Sequence, residues 1–259
     1  MTTTTIWTTD QWVMWKKKIN GDGRETKVPI GVNGRAVSIT NPRCYRSFDE
    51  ATTLLTKNAD IFDGIGFVFT ENDPFIGIDL DSVMLWNGWK EIINRCDSYT
   101  ELSPSKTGLH IIMEGHIPGE SNRGIKTGDH EHGEIAIYDN KRFFTFTLDP
   151  LKNHDEVKPN QTAIDWLAKS IDDKSVINHV LSSDYRDKFI TLWTGNTTNY
   201  ESHSEADLAF CRILANNHCP MHQIDRIFRK SKLMRPKWNE KRKNATYGLC
   251  TLEMALKER

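Results

Sequence analysis

The sequence has no long apolar run, and none of its hydrophobic segments approaches the roughly 18 residues that a membrane-spanning helix needs. Its first residues lack the basic and apolar regions of a signal peptide, so none is expected. The five cysteines are an odd number at scattered positions, which favours reduced thiols in a cytoplasmic protein. The net charge is only −1, so any binding to nucleic acid must come from local basic patches.

The 259 residues, 27% of them charged and 37% hydrophobic, are typical of a globular protein with one large or two small domains. Strand-like and helix-like patterns are mixed up to the Asp149-Pro150 break, and the chain becomes wholly helical from Ser202. The pattern predicts an α+β protein in three parts: a mixed region over 1–150, a helical connector over 151–200 and a small all-α bundle over 201–259.

Hydrophobic periodicity and capping residues predict the individual elements. Strands at 64–69 and 75–81 are expected to form an antiparallel hairpin, and the polar stretch 115–132 is expected to be a loop. Helices are expected at 47–55, with Ser47 as the N-cap, and at 81–97, 162–170, 177–194, 205–217 with Ser204 as the N-cap, 221–230 and 251–257.

One strand ends in two carboxylates, at Asp79 and Asp81. Side chains alternate along a strand, so both acids point off one face while Ile78 and Leu80 point into the core. Two neighbouring like charges repel unless a cation lies between them. Oxygen ligands on a rigid strand suit Mg²⁺ or Mn²⁺, which usually hold substrate phosphates as well. A strand ending in solvated acids is the plainer alternative.

A short loop rich in hydroxyl groups follows, with Ser103, Ser105, Lys106 and Gly108, and leads into a strand that carries His110. The N–H and O–H donors of such a loop can hold phosphate oxygens. A single histidine in a strand is usually structural, but its place directly after this loop favours a functional role. Lys27 and the cations of 16–18 lie on a predicted hairpin and either face a phosphate-rich cleft or are simply solvated.

Two other groups contain residues that bind metals in other proteins. His130 and His132 alternate in a polar loop, and Cys211, His218, Cys219 and His222 lie in the helical region. Histidines in loops are mostly solvated, and cysteines on helices are mostly buried as small apolar side chains. The pattern therefore favours these readings over a metal site at either place.

The segment from Asp225 to Lys243 is strongly basic, with nine Lys or Arg residues against two acids. That local excess of +7 contrasts with a chain of net charge −1. A solvated helical face would explain it, but the interleaved aromatics favour contact with a phosphate backbone. Arg235, Lys237 and Trp238 are the candidates for that contact.

Three motifs in this order resemble the archaeo-eukaryotic primase superfamily, and most closely the primase-polymerases of phages and mobile elements. The motifs are Asp79-x-Asp81, the Ser-Pro-Ser-x-x-Gly-Leu-His run that ends at His110, and Tyr-Asp-x-x-Arg-Phe-Phe-Thr-x-Thr at 138–147. Segments 204–210, 228–238 and 246–251 resemble the helical module that follows the catalytic domain in that family.

The resemblance implies an RRM-like antiparallel catalytic sheet, followed by a small helical bundle, in a template-directed DNA primase and DNA polymerase. Asp79 and Asp81 would bind two Mg²⁺ or Mn²⁺ ions, and His110 would contact the incoming dNTP or NTP. Ser103, Ser105, Lys106, Gly108 and Arg142 would lie beside that nucleotide. The implied partners are single-stranded DNA template, primer and a helicase domain or subunit that follows, in the cytoplasm of a bacterial host.

The family's third metal-binding acid lies two residues before the tyrosine, where this chain has Ala136. We expect near-absent polymerisation as written, restored by Ala136→Glu, because two-metal chemistry needs that carboxylate. A Glu-to-Ala replacement made to trap substrate complexes is the simplest explanation, and a naturally degenerate enzyme is the second. Glu134, on the same face, could substitute only if the strand shifted.

Two other functions compete with this one. A replication-initiator endonuclease would bind a metal through His130 and His132 and attack DNA with Tyr138, but it gives the Ser103 loop no role. A non-catalytic module that binds single-stranded DNA suits the basic and aromatic residues but leaves Asp79 and Asp81 unexplained.

Overall fold

The structure, a computed structural model, describes residues 5–127 and 133–257 and has strands mostly in its first half and helices in its second. The α+β class predicted from the sequence is confirmed. The strands are β1 Trp12–Ile19, β2 Glu25–Ile30, β3 Gly64–Phe69, β4 Phe75–Asp81, β5 Thr100–Leu102, β6 Leu109–Glu114, β7 Arg123–Thr127, β8 Gly133–Tyr138, β9 Arg142–Phe146, β10 Lys158–Pro159, β11 Lys241–Arg242 and β12 Ala245–Thr246. The helices are α1 Phe48–Lys57, α2 Trp89–Cys96, α3 Gln161–Ser170, α4 Asp173–Leu181, α5 Arg186–Trp193, α6 His203–Asn216, α7 Met221–Lys230 and α8 Tyr247–Lys257.

Most strands of the described residues belong to two sheets. The first has the order β2-β1-β3-β9, and the second has the order β10-β6-β4-β8-β7 with β5 also paired to β6. The predicted hairpin of β3 and β4 is wrong, since these strands lie in different sheets. Both edges of β3 are taken by β1 and β9, so β4 has no place beside it. Asp73 accepts hydrogen bonds from Thr70 and Phe75 and fixes the turn between the strands.

The chain forms two compact units. The first comprises the described residues up to Asp81, with 95–124 and 136–165. Its core is rich in aromatic rings that meet edge to face, an arrangement that adds to the energy of burial. Phe67 of β3 lies between Trp12 of β1 and Phe75 of β4, at ring distances of 5.4 and 5.8 Å. These contacts pack β3 of the first sheet against β4 of the second.

Several local predictions in this unit are confirmed. β1 and β2 form the expected hairpin, and Ser47 caps α1. The Ser47 Oγ accepts from Glu50 N–H at 3.2 Å, and the Glu50 carboxylate accepts from Ser47 N–H at 3.1 Å, which is a capping box. The loop predicted over 115–132 is wrong in part, because β7 lies within it.

The second unit comprises 82–94, the described part of 125–135, and 166–257. The helix predicted over 81–97 is a short 3₁₀ turn at Val83–Leu85 followed by α2. Ser82 and Gly88 break it, since both have positive φ angles, of 48° and 93°. In the part of the chain that is described, no helix combines the length and the apolar character needed to cross a membrane.

The remaining helices of this unit pack around one apolar core that includes Phe210, Leu214 and Phe228. The helix predicted over 177–194 is two helices, α4 and α5, because Ser182 and Ser183 hydrogen-bond back to α4 and end it. Ser202 rather than Ser204 caps α6, through a 3.1 Å bond from Glu205 N–H to its Oγ. α8 begins at Tyr247, four residues before the predicted start.

Candidate active site

Asp79 and Asp81 lie at the end of β4 on one face, as the alternation predicted, with Ile78 and Leu80 fully buried on the other. Gly77 shares the face of the two acids. A Cβ at this position would lie 2.7 Å from the Phe144 ring and 2.8 Å from the Phe69 ring. Two aromatic side chains therefore pack against the strand immediately before the acids begin.

His110 lies at the centre of a row of three side chains across β5, β6 and β4. The register places Asp79 and Glu101 on either side of it, so all three side chains point off one face. His110 Nε2 is 3.9 Å from Asp79 Oδ1, and Nδ1 is 3.7 Å from Glu101 Oε1. Nδ1 also lies 3.0 Å from the Thr145 carbonyl oxygen. Since a carbonyl can only accept, Nδ1 carries the proton of this bond.

The Ser103–Gly108 loop connects β5 to β6 and carries a chain of hydroxyl groups. The Ser103 and Ser105 Oγ atoms are 2.9 Å apart, and the Thr107 Oγ1 lies 2.9 Å from Ser105 Oγ. Gly108 brings this loop against β4, because a Cβ there would be 2.7 Å from the Leu80 carbonyl and 3.3 Å from Asp81 Oδ1. The structure thus places the loop beside the acidic strand.

A cleft of about 600 Å³ opens beside Asp79 and His110. Eight of the residues that line it are polar or charged: Thr26, Lys27, Ser38, Asp79, His110, Lys141, Arg142 and Thr145. Lys27 Nζ lies 3.4 Å from Thr145 Oγ1, and the Arg142 guanidinium lies 4.6 Å from the centre of the Tyr138 ring. The cleft therefore combines a carboxylate with cationic side chains, which suits a phosphate-bearing ligand that binds together with a metal ion.

Lys27 is close enough to the acids to experience their charge. Burial lowers the pKa of Lys27, while the carboxylates of Asp79 and Asp81 act in the opposite direction. The sequence left Lys27 between a cleft residue and a solvated hairpin residue, and the structure places it in the cleft.

Ala136 lies in β8, the neighbour of β4, and is 1% exposed. It shares a face with Tyr138, whose ring lies 5.8 Å from Phe144, and Phe144 in turn lies 4.9 Å from His110. A methyl group thus occupies a position on the same face as the two acids. Glu134 forms an ion pair with Lys126.

The donor set fits a divalent cation in part. Asp79 and Asp81 offer hard oxygen ligands from one strand, which suit Mg²⁺ or Mn²⁺. Within residues 5–127 and 133–257, however, no group of three or more His, Cys, Asp or Glu side chains is arranged to hold a metal ion. The residues therefore fit an ion that takes further ligands from a bound phosphate, and they lack a carboxylate at Ala136.

Other predicted site residues lie elsewhere. Trp238 was predicted to contact the template, and the structure contradicts this prediction. It is 1% exposed and stacks on Phe228 at 3.6 Å, so its ring is not available to a nucleic acid base. Arg235 forms two hydrogen bonds, of 2.8 and 2.6 Å, with the buried Asp207. Lys237 donates to Ser204 Oγ at 3.0 Å.

The remaining metal-ligand candidates divide into two cases. His130 and His132 lie outside the described residues. Cys211 is buried, and burial raises the pKa of its thiol, which disfavours the thiolate that binds metals. The burial of Cys211 agrees with the prediction that the cysteines of the helical region are buried side chains and not metal ligands.

Glu101 is the residue of this region that the sequence analysis missed. It is fully buried in the short strand β5 and accepts hydrogen bonds from Tyr99, Thr147 and Leu148. A charged residue inside the short Thr-Glu-Leu strand just before the hydroxyl-rich loop was the available signal. Its closeness to His110 depends on strand register, which the sequence does not display.

Two comparisons relate this α+β protein to known proteins. Residues 203–259 match the family model described as the NrS-1 polymerase HBD domain. Over 264 residues the chain is 31% identical to the DNA primase-polymerase of Nitratiruptor phage NrS-1. The match covers 95% of this chain and 35% of that protein, so the chain spans about a third of its relative's length.

The fold and the cleft define an α+β protein with a site suited to metal-bound phosphates. By its similarity along nearly the whole length, the chain resembles the phage primase-polymerases of the archaeo-eukaryotic primase superfamily. The resemblance inferred from the motifs is confirmed.

Proposed function

We propose that this chain carries the nucleotidyltransferase part of a DNA primase-polymerase that acts in phage or mobile-element replication inside a bacterial cell. It would join nucleotides from dNTP or NTP to a primer, or start a primer, on a single-stranded DNA template. The similarity to a phage DNA primase-polymerase supports this class of reaction. The residues 1–150 would carry the chemistry, 151–200 would connect, and 201–259 would form a helical module.

The observation that carries the proposal is the mixture of charges in one cleft. Asp79 lines it together with His110, Lys27 and Arg142. A metal-bound triphosphate needs both kinds of charge, since carboxylates hold the cation and cationic side chains hold the phosphate oxygens. We assign triphosphate contacts to His110 Nε2, Lys27 and Arg142, and to the Ser103, Ser105, Lys106 and Gly108 loop beside Asp81.

Asp79 and Asp81 would hold the divalent cations, Mg²⁺ or Mn²⁺. When bound, two such ions neutralise charge on the reacting phosphates and acidify the attacking 3′-hydroxyl. Ala136 offers no ligand, so we propose that a nucleotide with its own metal binds well while the second ion is held poorly. The chain as written would then bind substrate but polymerise very slowly.

The first test separates binding from chemistry. Calorimetry with dNTP or NTP and Mg²⁺ or Mn²⁺ should show metal-dependent triphosphate binding by the unaltered chain. Asp79→Asn should abolish this binding because it removes a charged ligand, and Glu114→Gln, at the far end of β6, should leave it unchanged. Absence of metal-dependent binding by the unaltered chain contradicts the proposal.

The second test uses primer synthesis and primer extension on single-stranded DNA. Ala136→Glu should raise the rate by about 10²–10³ over the unaltered chain, the effect of one electrostatic group at a reacting centre. Ala136→Gln is the matched control, with similar size and no charge, and should stay slow. Equal rates for all three forms would contradict the role assigned to position 136.

A further inference from the structure

Glu101 is a buried carboxylate to which the reaction proposed above gives no role. It is 0% exposed and lies directly across β5 and β6 from His110. A charged side chain inside a protein needs compensation from hydrogen bonds, and Glu101 obtains it from four donors. They are Tyr99 O–H at 2.8 Å, Thr147 N–H at 2.9 Å, Thr147 O–H at 2.9 Å and Leu148 N–H at 3.1 Å.

These donors connect Glu101 to the carbonyl that holds His110. Thr147, bound through both its N–H and its hydroxyl, is two residues after Thr145, whose carbonyl accepts the Nδ1 proton. Glu101 therefore fixes the segment from which the imidazole takes its acceptor. Its own Oε1, 3.7 Å from Nδ1, adds a negative charge on the same side of the ring.

The opposite side of the ring faces the cleft. With the Nδ1 proton directed at Thr145 and Glu101, Nε2 is the nitrogen turned to Asp79, at 3.9 Å. The partner of one ring nitrogen sets the proton and the orientation of the other. A loose ring would present either nitrogen, and at a varying position, to a ligand in the cleft.

We propose that Glu101 is a positioning residue, which holds His110 with Nε2 directed at a bound nucleoside triphosphate. This inference rests on the proposed function, because it assumes that His110 contacts the triphosphate. Glu101 itself is shut off from the cleft by burial and acts through His110 and through Thr147.

A double-mutant cycle on triphosphate affinity tests this role. Glu101→Gln keeps the size of the side chain but removes the charge and one of the acceptor oxygens. In an otherwise unaltered chain it should weaken the binding of Mg²⁺- or Mn²⁺-dNTP about tenfold, as loss of an orienting partner does. In a His110→Ala chain it should cause no further loss, because the ring through which it acts is gone.

The same variants separate positioning from support of the fold. Thermal unfolding measured beside affinity should show destabilisation by Glu101→Gln in both backgrounds, whereas the affinity should change only where His110 is present. An equal loss of affinity in both backgrounds, or no loss in either, overturns the inference. If Glu101→Gln does not fold, Thr147→Val replaces it: it removes one donor to Glu101 and should give a smaller loss that again requires His110.

The outcomes also distinguish this inference from the proposed function. If the unaltered chain binds no metal-dependent triphosphate, the proposed function fails. If binding occurs and weakens with His110→Ala but is unaffected by Glu101→Gln and Thr147→Val, only the positioning role fails.

Discussion

At the scale of single residues, the β1–β2 hairpin places Lys27 in the cleft, although no sequence motif identifies this lysine as a site residue. Lys27 lies in β2, and its cross-strand partner Lys17 is exposed and forms an ion pair with Glu25. Lys27 is instead half-buried in the cleft, where burial lowers its pKa against the opposing effect of Asp79 and Asp81. A lysine that is costly to bury as a cation, and is kept beside two acids, is typical of a site that binds an anion together with a metal.

Lys27→Met is expected to separate stability from binding. It removes the cost of burying a charge, so the thermal midpoint should rise or stay the same. Triphosphate affinity should fall by about tenfold to a hundredfold, the effect of losing a hydrogen bond to a charged group. Calorimetry and thermal unfolding of the same samples measure both quantities.

Lys18→Met is the matched control, because Lys18 is an exposed lysine of the same hairpin. It should leave triphosphate affinity unchanged. A parallel loss of stability and affinity in Lys27→Met would instead identify Lys27 as a structural residue.

Single residues also explain why the basic segment is less basic on the surface than its count implies. Arg226 is fully buried against Asp173, Arg229 pairs with Asp225 at 3.0 Å, and Arg235 pairs with Asp207 at 2.6 Å. The excess of +7 counts only the charges between Asp225 and Lys243. Asp173 and Asp207, which neutralise Arg226 and Arg235, lie outside that segment and are not counted. Three of the nine cations therefore stabilise the helical core.

At the scale of elements, the loop between β5 and β6 depends on close approach to β4. Gly108 has no room for a side chain because the Leu80 carbonyl would lie 2.7 Å from its Cβ. Backbone atoms cannot move aside as the end of a flexible side chain can. The absence of a side chain at Gly108 therefore lets the loop lie against Asp81, and this also brings the loop's hydroxyl groups towards β4.

Gly108→Ala should displace this loop from β4. We expect a loss of about 1–3 kcal/mol in the free energy of unfolding, as for other overpacked sites, and weaker triphosphate binding. Urea unfolding and calorimetry are the measurements. Gly119→Ala, at a glycine with nothing within 4 Å of the added Cβ but a φ of 80°, controls for backbone strain without crowding. Equal triphosphate affinity in the two variants would show that the approach at Gly108 is unimportant for the site.

Pairing between elements also limited what the sequence could predict. The capping box of Ser47 and Glu50 is a local interaction, so α1 was predicted correctly. β4 pairs instead with β6, where Asp79 lies opposite His110 from a distant part of the chain, and the hairpin prediction was therefore wrong. The break between α4 and α5 was missed because serines that end a helix also occur within helices.

At the scale of the whole molecule, the proposed function requires a chain with a net charge of only −1 to bind a long polyanion. We propose that exposed cations of the helical module, among them Lys241, Arg242 and Lys243, contact the template, in place of Trp238. Lys237 and Arg242 lie 4.5 and 4.8 Å from the centre of the Tyr247 ring. Arg235 and Lys237 stay candidates, although Arg235 also holds Asp207.

Charge reversal tests this proposal. The double variant Lys241→Glu and Lys243→Glu should weaken binding to single-stranded DNA and flatten its salt dependence by about 0.7 per lost phosphate contact. The measurement is a titration of fluorescently labelled DNA at several salt concentrations. A double variant with the same change of charge at the exposed Lys174 and Lys188 should bind more nearly as the unaltered chain does. Equal salt slopes in the two double variants would remove the template role.

The sequence by itself determined the α+β class, the shared face of Asp79 and Asp81 and the family, because alternation and motifs act over a few residues. The tertiary structure decided that His110 lies between Asp79 and Glu101, that Lys27 lines the cleft and that Trp238 and Arg226 are buried. Each of these facts depends on strand register or helix packing between distant parts of the chain. Such contacts are selected by the burial of the whole core, and no local pattern records them.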